Sequence, residues 1–316
     1  MGLNQVNWNK EREKLGDSFP QLRAIEYDNK KIYIFDTLKW SIPFDVNTSI
    51  TFIKEEVENV FNFAFNSKGN HRETRTGGKS SRNEIQRFFN IFLGKLGEVA
   101  TFNYFIKNNV NLKTKVDYEI RECGQWDDCD MITEDNKYIS IKSSKFYSNM
   151  LLLEKNDYNE KGELIYNLNT NKISSFDYFT YIRIAPIKIG CKKIEFSGYG
   201  RDFKQNTNDL KLELFNFIQS FDWVYEEPFI IEKKFFVDFC IKNNYYVEAN
   251  NLIKFDEEGN VLLKLSKRKN SLEEINNYIE KIYNTKGGFT LDADNYYFPL
   301  KYMKRIKDLF KQNEIS

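Results

Sequence analysis

Histidine is almost missing from this chain: His71 is the only one in 316 residues. A Ser-His-Asp triad, a histidine-bound zinc hydrolase or a His-metal nuclease would each have to be built on that side chain. It lies in the polar stretch NSKGNHRETRTGGKSSR and reads as a loop histidine. Hydrolytic chemistry here has to run on carboxylates, lysine and metal. Cysteine is scarce too. Cys123, Cys129, Cys191 and Cys240 are scattered, and the five residues between the first two are not zinc-ribbon spacing. They read as reduced thiols of a cytosolic protein. No run approaches the ~18 apolar residues of a membrane helix, and MGLNQVNWNK has no apolar signal-peptide region. The expectation is a soluble, cytoplasmic protein with no membrane partner. A glycine-rich phosphate loop is absent as well: GG at 77–78 and GYG at 198–200 lack the Walker lysine and spacing. Neither charge sign dominates, with a formal net charge of +1, so a globally basic nucleic-acid binder is not indicated. A local basic patch can still grip phosphates.

What the chain has in quantity is aromatic side chains, 28 Phe and 19 Tyr, enough to fill a large core. A strand is expected at Lys30–Asp36 and an amphipathic helix from about Asn47 to Phe65, with Ile53, Val57, Val60 and Phe61 on one face. A polar loop, Asn66–Ser81, follows. Asn83 then caps a helix over Glu84–Lys107, whose apolar residues Ile85, Phe88, Phe89, Phe92, Leu96 and Val99 make a wide stripe. Gly94 and Gly97 weaken that helix by ~1 kcal/mol each relative to Ala but permit close approach of another backbone. Glu98 comes directly after. Strands are expected at Val116–Glu122, Asp127–Thr133, Lys137–Lys142, Tyr178–Pro186 and Lys192–Gly200. Helices are expected at Asp209–Ser220, at Lys233–Asn243, after Ser271 in a capping box with Glu274, and at Pro299–Gln312. This order describes an α/β protein, a central mixed sheet flanked by helices.

The chemistry concentrates in DDCDMITEDNKYISIKSSK, Asp127 to Lys145. Alternate residues of a strand share a face, so Ser140 and Lys142 lie together. A three-residue turn at Asp135–Lys137 would set Glu134 opposite Tyr138 and Asp130 opposite Lys142, ~5 Å apart at Cβ. A two-residue turn would put them on opposite faces. Phosphodiester hydrolysis needs a water nucleophile and neutralisation of charge on the phosphorus oxygens, and Mg²⁺ held by carboxylates serves both. Asp130 is the natural anchor. Lys142 can orient the water or stabilise the phosphorane. Glu98 can add a carboxylate. Upstream, Lys68, Arg72, Arg75, Lys79, Arg82 and Arg87 stand against Glu73 and Glu84, a basic loop able to fork onto phosphate or guanine.

RFFNIFLGKLGEVATFNYF with Glu98, DDCDMI with Asp130, and YISIKSSK with Lys142 together resemble the PD-(D/E)XK nuclease superfamily, and most closely type II restriction endonucleases. SFDYFTYIRIAP is similar to its next core strand, and HRETRTGGKSSR to the arginine-rich lead-in of several members. The resemblance spans about Arg72 to Gly200. It implies a nuclease core at 83–200, an N-terminal region 1–82 with a DNA-contacting loop, and a helical C-terminal elaboration at 201–316. It further implies Mg²⁺-dependent, site-specific cleavage of double-stranded DNA by a homodimer, with a cognate DNA methyltransferase in the same system. DNA contacts would come from Arg72, Arg75, Lys79, Arg82 and Lys145. The chain departs from the family at Ser140, which stands where a second acid is usual. Some similar restriction enzymes carry Ser-x-Lys and take the lost carboxylate from a downstream glutamate. Glu154 and Asp128 are the candidates for it; alternatively Glu98 and Asp130 suffice, with the Ile141 carbonyl as a further oxygen ligand. Two readings compete: a superfamily nuclease without a defined recognition sequence, and a DNA-binding module that has lost catalysis.

Overall fold

The computed structural model describes residues 22–27, 30–36, 40–68, 83–120, 129–165, 173–200, 203, 209–256 and 289–310. In chain order the strands are β1 (Arg23–Tyr27), β2 (Lys30–Asp36), β3 (Ile50–Thr51), β4 (Met131–Ile132), β5 (Tyr138–Lys145), β6 (Met150–Glu154), β7 (Leu164–Ile165), β8 (Ile173–Ser174), β9 (Tyr178–Lys188), β10 (Phe221–Tyr225), β11 (Phe229–Glu232), β12 (Tyr246–Val247), β13 (Leu252–Asp256), β14 (Phe289–Thr290), β15 (Asn295–Pro299) and β16 (Lys304–Arg305). The helices used below are α1 (Lys54–Ser67), α2 (Glu84–Lys107), α3 (Leu210–Gln219), α4 (Lys233–Phe236) and α5 (Ile306–Phe310). The architecture is mixed α/β. No helix among the described residues is long and apolar enough to cross a membrane.

The centre is β9, YFTYIRIAPIK, buried along all but its last residue. A strand covered on both faces reads as a near-continuous apolar run, and this one does. β5 pairs with one edge of β9 in parallel, from Ile139↔Tyr178 to Lys145↔Ile184. The antiparallel neighbours β10 and β11 are one long strand broken by a bulge. Tyr225 pairs with Ile184 and Phe229 with Tyr181, so four steps on one strand answer three on β9. β16 continues the sheet beyond β11, and β3 beyond β10.

The two faces of this sheet pack differently. Ile182 and Ile184 face α2, together with Phe88, Phe92, Leu96, Val99 and Trp223. Phe179 and Tyr181 face the other way, toward Leu151, Leu153, Phe236 and Phe298. There the sheet β12-β15-β6 forms the second layer. Arg183 is fully buried on β9, and a buried charge persists only when its donors are satisfied. Its guanidinium forks onto Glu226 beside the bulge and donates to the Ile42 carbonyl at 2.7 Å. Arg305 reaches the same carboxylate at 3.2 Å.

Several elements differ from the sequence expectation. The first helix begins at Lys54, not Asn47: Ile53 is extended, its N–H is capped by Glu56 at 3.1 Å, and Ile50–Thr51 add to the sheet as β3. Residues 116–120 form no strand, and 192–200 fold as a bridge at Ile194 and a 3-10 turn over Phe196–Tyr199. Lys233–Asn243 is α4 continued by a π turn at Val237–Ile241. Pro299 ends β15; a 3-10 turn over Leu300–Tyr302 and the short β16 follow, and α-helix begins only at Ile306. Beyond residue 201 the chain is not simply helical, since it supplies β10, β11 and β16 to the central sheet. The helix expected after Ser271 lies outside the described residues.

Candidate active site

α2 forms where the sequence expects it, Glu84–Lys107, with the Asn83 side chain accepting from the Gln86 N–H at 2.8 Å. A local cap and a wide apolar stripe decide this helix without long-range help. Gly97 is the contact point with the sheet. A Cβ there would sit 2.6 Å from the Ser143 Cβ on β5. Ser143 also donates its hydroxyl to the Leu93 carbonyl at 2.8 Å, so helix and strand are stapled side by side. Gly97→Ala is expected to force α2 off β5 and cost about 1–3 kcal/mol, read as a lowered midpoint in chemical unfolding. An unchanged midpoint would show that the contact is not tight.

The hairpin holds one correction. Met131 pairs with Ile139 and Ile132 with Tyr138, so Tyr138 does not face Glu134. The Thr133 N–H donates to Lys137 O at 3.0 Å and Asn136 N–H to Thr133 O at 2.9 Å. Asn136 is left-handed, φ +59°. The loop is therefore Glu134–Asn136, a tight turn closed by a left-handed residue, one position earlier than expected. Continuing this register sets position 130 against Ser140, with Lys142 as its diagonal neighbour. The face parity survives, because each strand slips by one.

Asp130 itself directly precedes β4. Its carboxylate accepts the Ile141 N–H at 2.5 Å, replacing the main-chain acceptor that β4 no longer supplies. N–H and C=O of one strand residue point to the same side, so the Ile141 carbonyl opens onto this edge too. Glu98 approaches from α2. The Asp130 charge acts on it, as do Lys95, whose ammonium is 2.5 Å from Glu98 Oε2, and Asp117. Burial first, and the like charges of Asp130 and Asp117, push the Glu98 carboxyl up to about 7 against the pull of Lys95. A carboxyl raised on folding stabilises the fold most below its ordinary value of 4.5 and loses that contribution as pH rises through about 7. Glu98→Gln is therefore expected to flatten the fall in stability across that window, measured as denaturation midpoints at its two ends. An identical pH profile would contradict the assignment.

The structure brings Glu98, Asp130 and Ile141 together. Lys142 rises from the face of β5 opposite Ser143 and α2. It is half-buried and makes no hydrogen bond or ion pair with a described residue, Asp130 included. Ser140, on the same face, is 1% exposed, and its hydroxyl has no hydrogen-bond partner among the described residues. Glu154 sits on β6, in a different sheet, paired with Asn295. Lys145 ends β5, with Nζ 5.0 Å from the centre of the Tyr199 ring. Asp128, Arg72, Arg75, Lys79 and Arg82 lie outside the described residues. Lys68, at the foot of the basic loop, pairs with Glu84 at 2.5 Å. Among the described residues no three carboxylate, histidine or cysteine side chains converge on one metal position. Sequence reasoning missed Lys95 and Asp117. A lysine three residues before Glu98, inside an apolar stripe, was the available signal for the first.

No protein-family model matches the chain, and neither a curated protein nor a solved structure matches it.

Proposed function

We propose that the protein is a Mg²⁺-dependent endonuclease for double-stranded DNA, a site-specific restriction enzyme on a PD-(D/E)XK core. The observation that carries this reading is Asp130 docked on the Ile141 main chain, with its charge reaching Glu98 on α2. The donor set suits the ion: two carboxylates and a main-chain carbonyl are hard oxygens, and Mg²⁺ commonly takes one or two carboxylates and completes its shell with water. The Asp130 charge helps raise the proton affinity of Glu98, and a place where like charges meet is one where a cation is favourable. Bound there, Mg²⁺ would supply Lewis-acid neutralisation and a water of lowered pKa. Asp130 and Glu98 would hold the ion, with Asp130 fixed by the Ile141 N–H. Lys142 orients the attacking water or stabilises charge on the phosphorane, and the basic loop at 68–87 grips the backbone. A homodimer would cut both strands of a symmetric site, with a DNA methyltransferase protecting host DNA.

Ser140 favours a second reading. An uncharged, buried hydroxyl at the usual acid position is compatible with a DNA-binding module without catalysis. One experiment separates the readings: incubate plasmid with protein and Mg²⁺, then sequence the ends. Discrete fragments with common ends are expected, while smearing would mean a nuclease without a defined recognition sequence. A gel shift without cleavage would leave only the binding module.

A further inference from the structure

β5 leads out of the candidate site into exposed aromatic rings. After Lys145 the chain turns through Phe146 and Tyr147. The Tyr147 ring stacks on Phe196, centroids 5.8 Å apart and planes 16° from parallel. Both remain open to water, Tyr147 at 37% and Phe196 at 52% exposure. They are held from beneath. Phe146 meets Phe196 edge-on at 4.9 Å and Tyr147 at 5.3 Å, meets Phe44 at 6.2 Å, and packs against Ala185, Ile187 and Val224. Tyr199 stacks under Phe146, with its hydroxyl tied to the Ile184 carbonyl. Two exposed rings on half-buried Phe146 and buried Tyr199 are a pre-formed surface; burying them would have been the cheaper use of apolar area.

The surroundings say what fits. Lys145 lies over Tyr199. Lys188 ends β9 and the turn after it carries Lys192 and Lys193, all three exposed, with the turn closed by the Lys188 N–H to Lys193 O bond of 2.9 Å. Asp45 and Glu195 are the nearby carboxylates, and Glu195 sits 4.0 Å from Lys193. Lysines around an aromatic platform form the combination that binds an unpaired strand: cations track the phosphates while bases stack on the rings. A paired duplex offers no free base face except at its ends. Along β5, Ile141 to Lys145 spans about 13 Å at ordinary strand rise, about four nucleotides at B-form spacing.

Building on the nuclease reading, we propose that Tyr147 and Phe196 form a stacking platform for an unpaired base of the DNA substrate, a few nucleotides from the reacting phosphate. The substrate is then a duplex with one base unpaired at that position, extruded from the helix or offered by a nearby single-stranded end. The test measures binding, not cleavage. Fluorescence anisotropy in EDTA would compare a blunt labelled duplex with the same duplex carrying a short single-stranded extension. The parent protein is expected to bind the extended DNA about ten-fold more tightly, in line with stacking one base. The Tyr147→Ala, Phe196→Ala double variant should lose that preference, and Tyr147→Trp should keep it. Circular dichroism of the variants checks folding, since both rings are exposed. Equal affinity of the parent for the two DNAs, or a preference unchanged in the double variant, overturns the platform. The EDTA assay reads binding alone, so a failure to cleave plasmid in a separate assay with Mg²⁺ would sink the nuclease reading without touching this one.

Discussion

Replacing Lys142 with alanine is expected to slow Mg²⁺-dependent DNA cleavage by about a hundred- to a thousand-fold, the usual loss when one stabiliser of transition-state charge is removed. The melting temperature should move by no more than about 2 °C. The reason is the environment. Lys142 is half-buried on β5, directly after the residue that Asp130 caps, and no described side chain neutralises it. A lysine with only structural duty would be pinned by a carboxylate, as Lys95 is by Glu98, and its loss would show in stability. Here the loss should show in rate alone. Lys142→Arg tests the geometry. A planar fork does not replace a compact ammonium on a short approach, so it should rescue little. Cleavage by Lys142→Ala at the parent rate would remove this residue from the site.

Asp130 supplies the second large effect, and two substitutions divide its roles. Asp130→Asn keeps an oxygen that can accept the Ile141 N–H, so the edge of β5 holds. Cleavage should nevertheless fall by about a thousand-fold or more, because the amide is a poor anchor for a hard divalent cation. Asp130→Ala should lose activity to the same extent and also destabilise the protein by about 1–3 kcal/mol, since a partly buried N–H is left without its charged acceptor. Chemical denaturation and a plasmid cleavage assay on both variants read the two roles separately. Full activity in Asp130→Asn would show that the carboxylate charge has no part in the chemistry.

The features legible in the sequence are those decided locally. Asn83, the apolar stripe and Lys107 bound α2 at both ends, because capping and periodicity act within a turn or two. β5 and β9 are legible because each is a run of alternating or continuous apolar residues of strand length. Tertiary choices blurred the rest. The hairpin loop moved one residue because Asn136 accepts a left-handed backbone, and no count along the chain weighs that against the neighbouring position. β10 and β11 follow a helix and carry a bulge at Glu226–Pro228. They are strands because the edge of β9 accepts them, which is a long-range fact. Arg183 sits in an apolar strand with nothing nearby in sequence to predict Glu226, 43 residues away, as its partner.

The candidate site divides in the same way. Residue type and order point to Asp130 and Glu98, and the fold sets them within electrostatic reach of each other. The expected direct opposition of Asp130 and Lys142 was a register inference, and the register shifted. Lys95 went unnoticed because a lysine in a helix is ordinarily a solvated surface residue. Here Lys95 is buried on the side of α2 that meets α1, over the Phe63 ring, and turns to Glu98 and the Asp117 carbonyl. Glu154, the downstream alternative for the missing acid, is drawn into the β6–β15 pairing instead.

The central claim is that Asp130 and Glu98 hold a divalent cation that drives DNA cleavage. Its most direct measurement is the conversion of supercoiled plasmid to open and linear forms as Mg²⁺ is titrated into the parent protein, into Asp130→Asn and into Lys142→Ala. Saturable, Mg²⁺-dependent cleavage by the parent, abolished in EDTA and in both variants, is the predicted result. Cleavage that persists in EDTA, or that survives in Asp130→Asn, would contradict it.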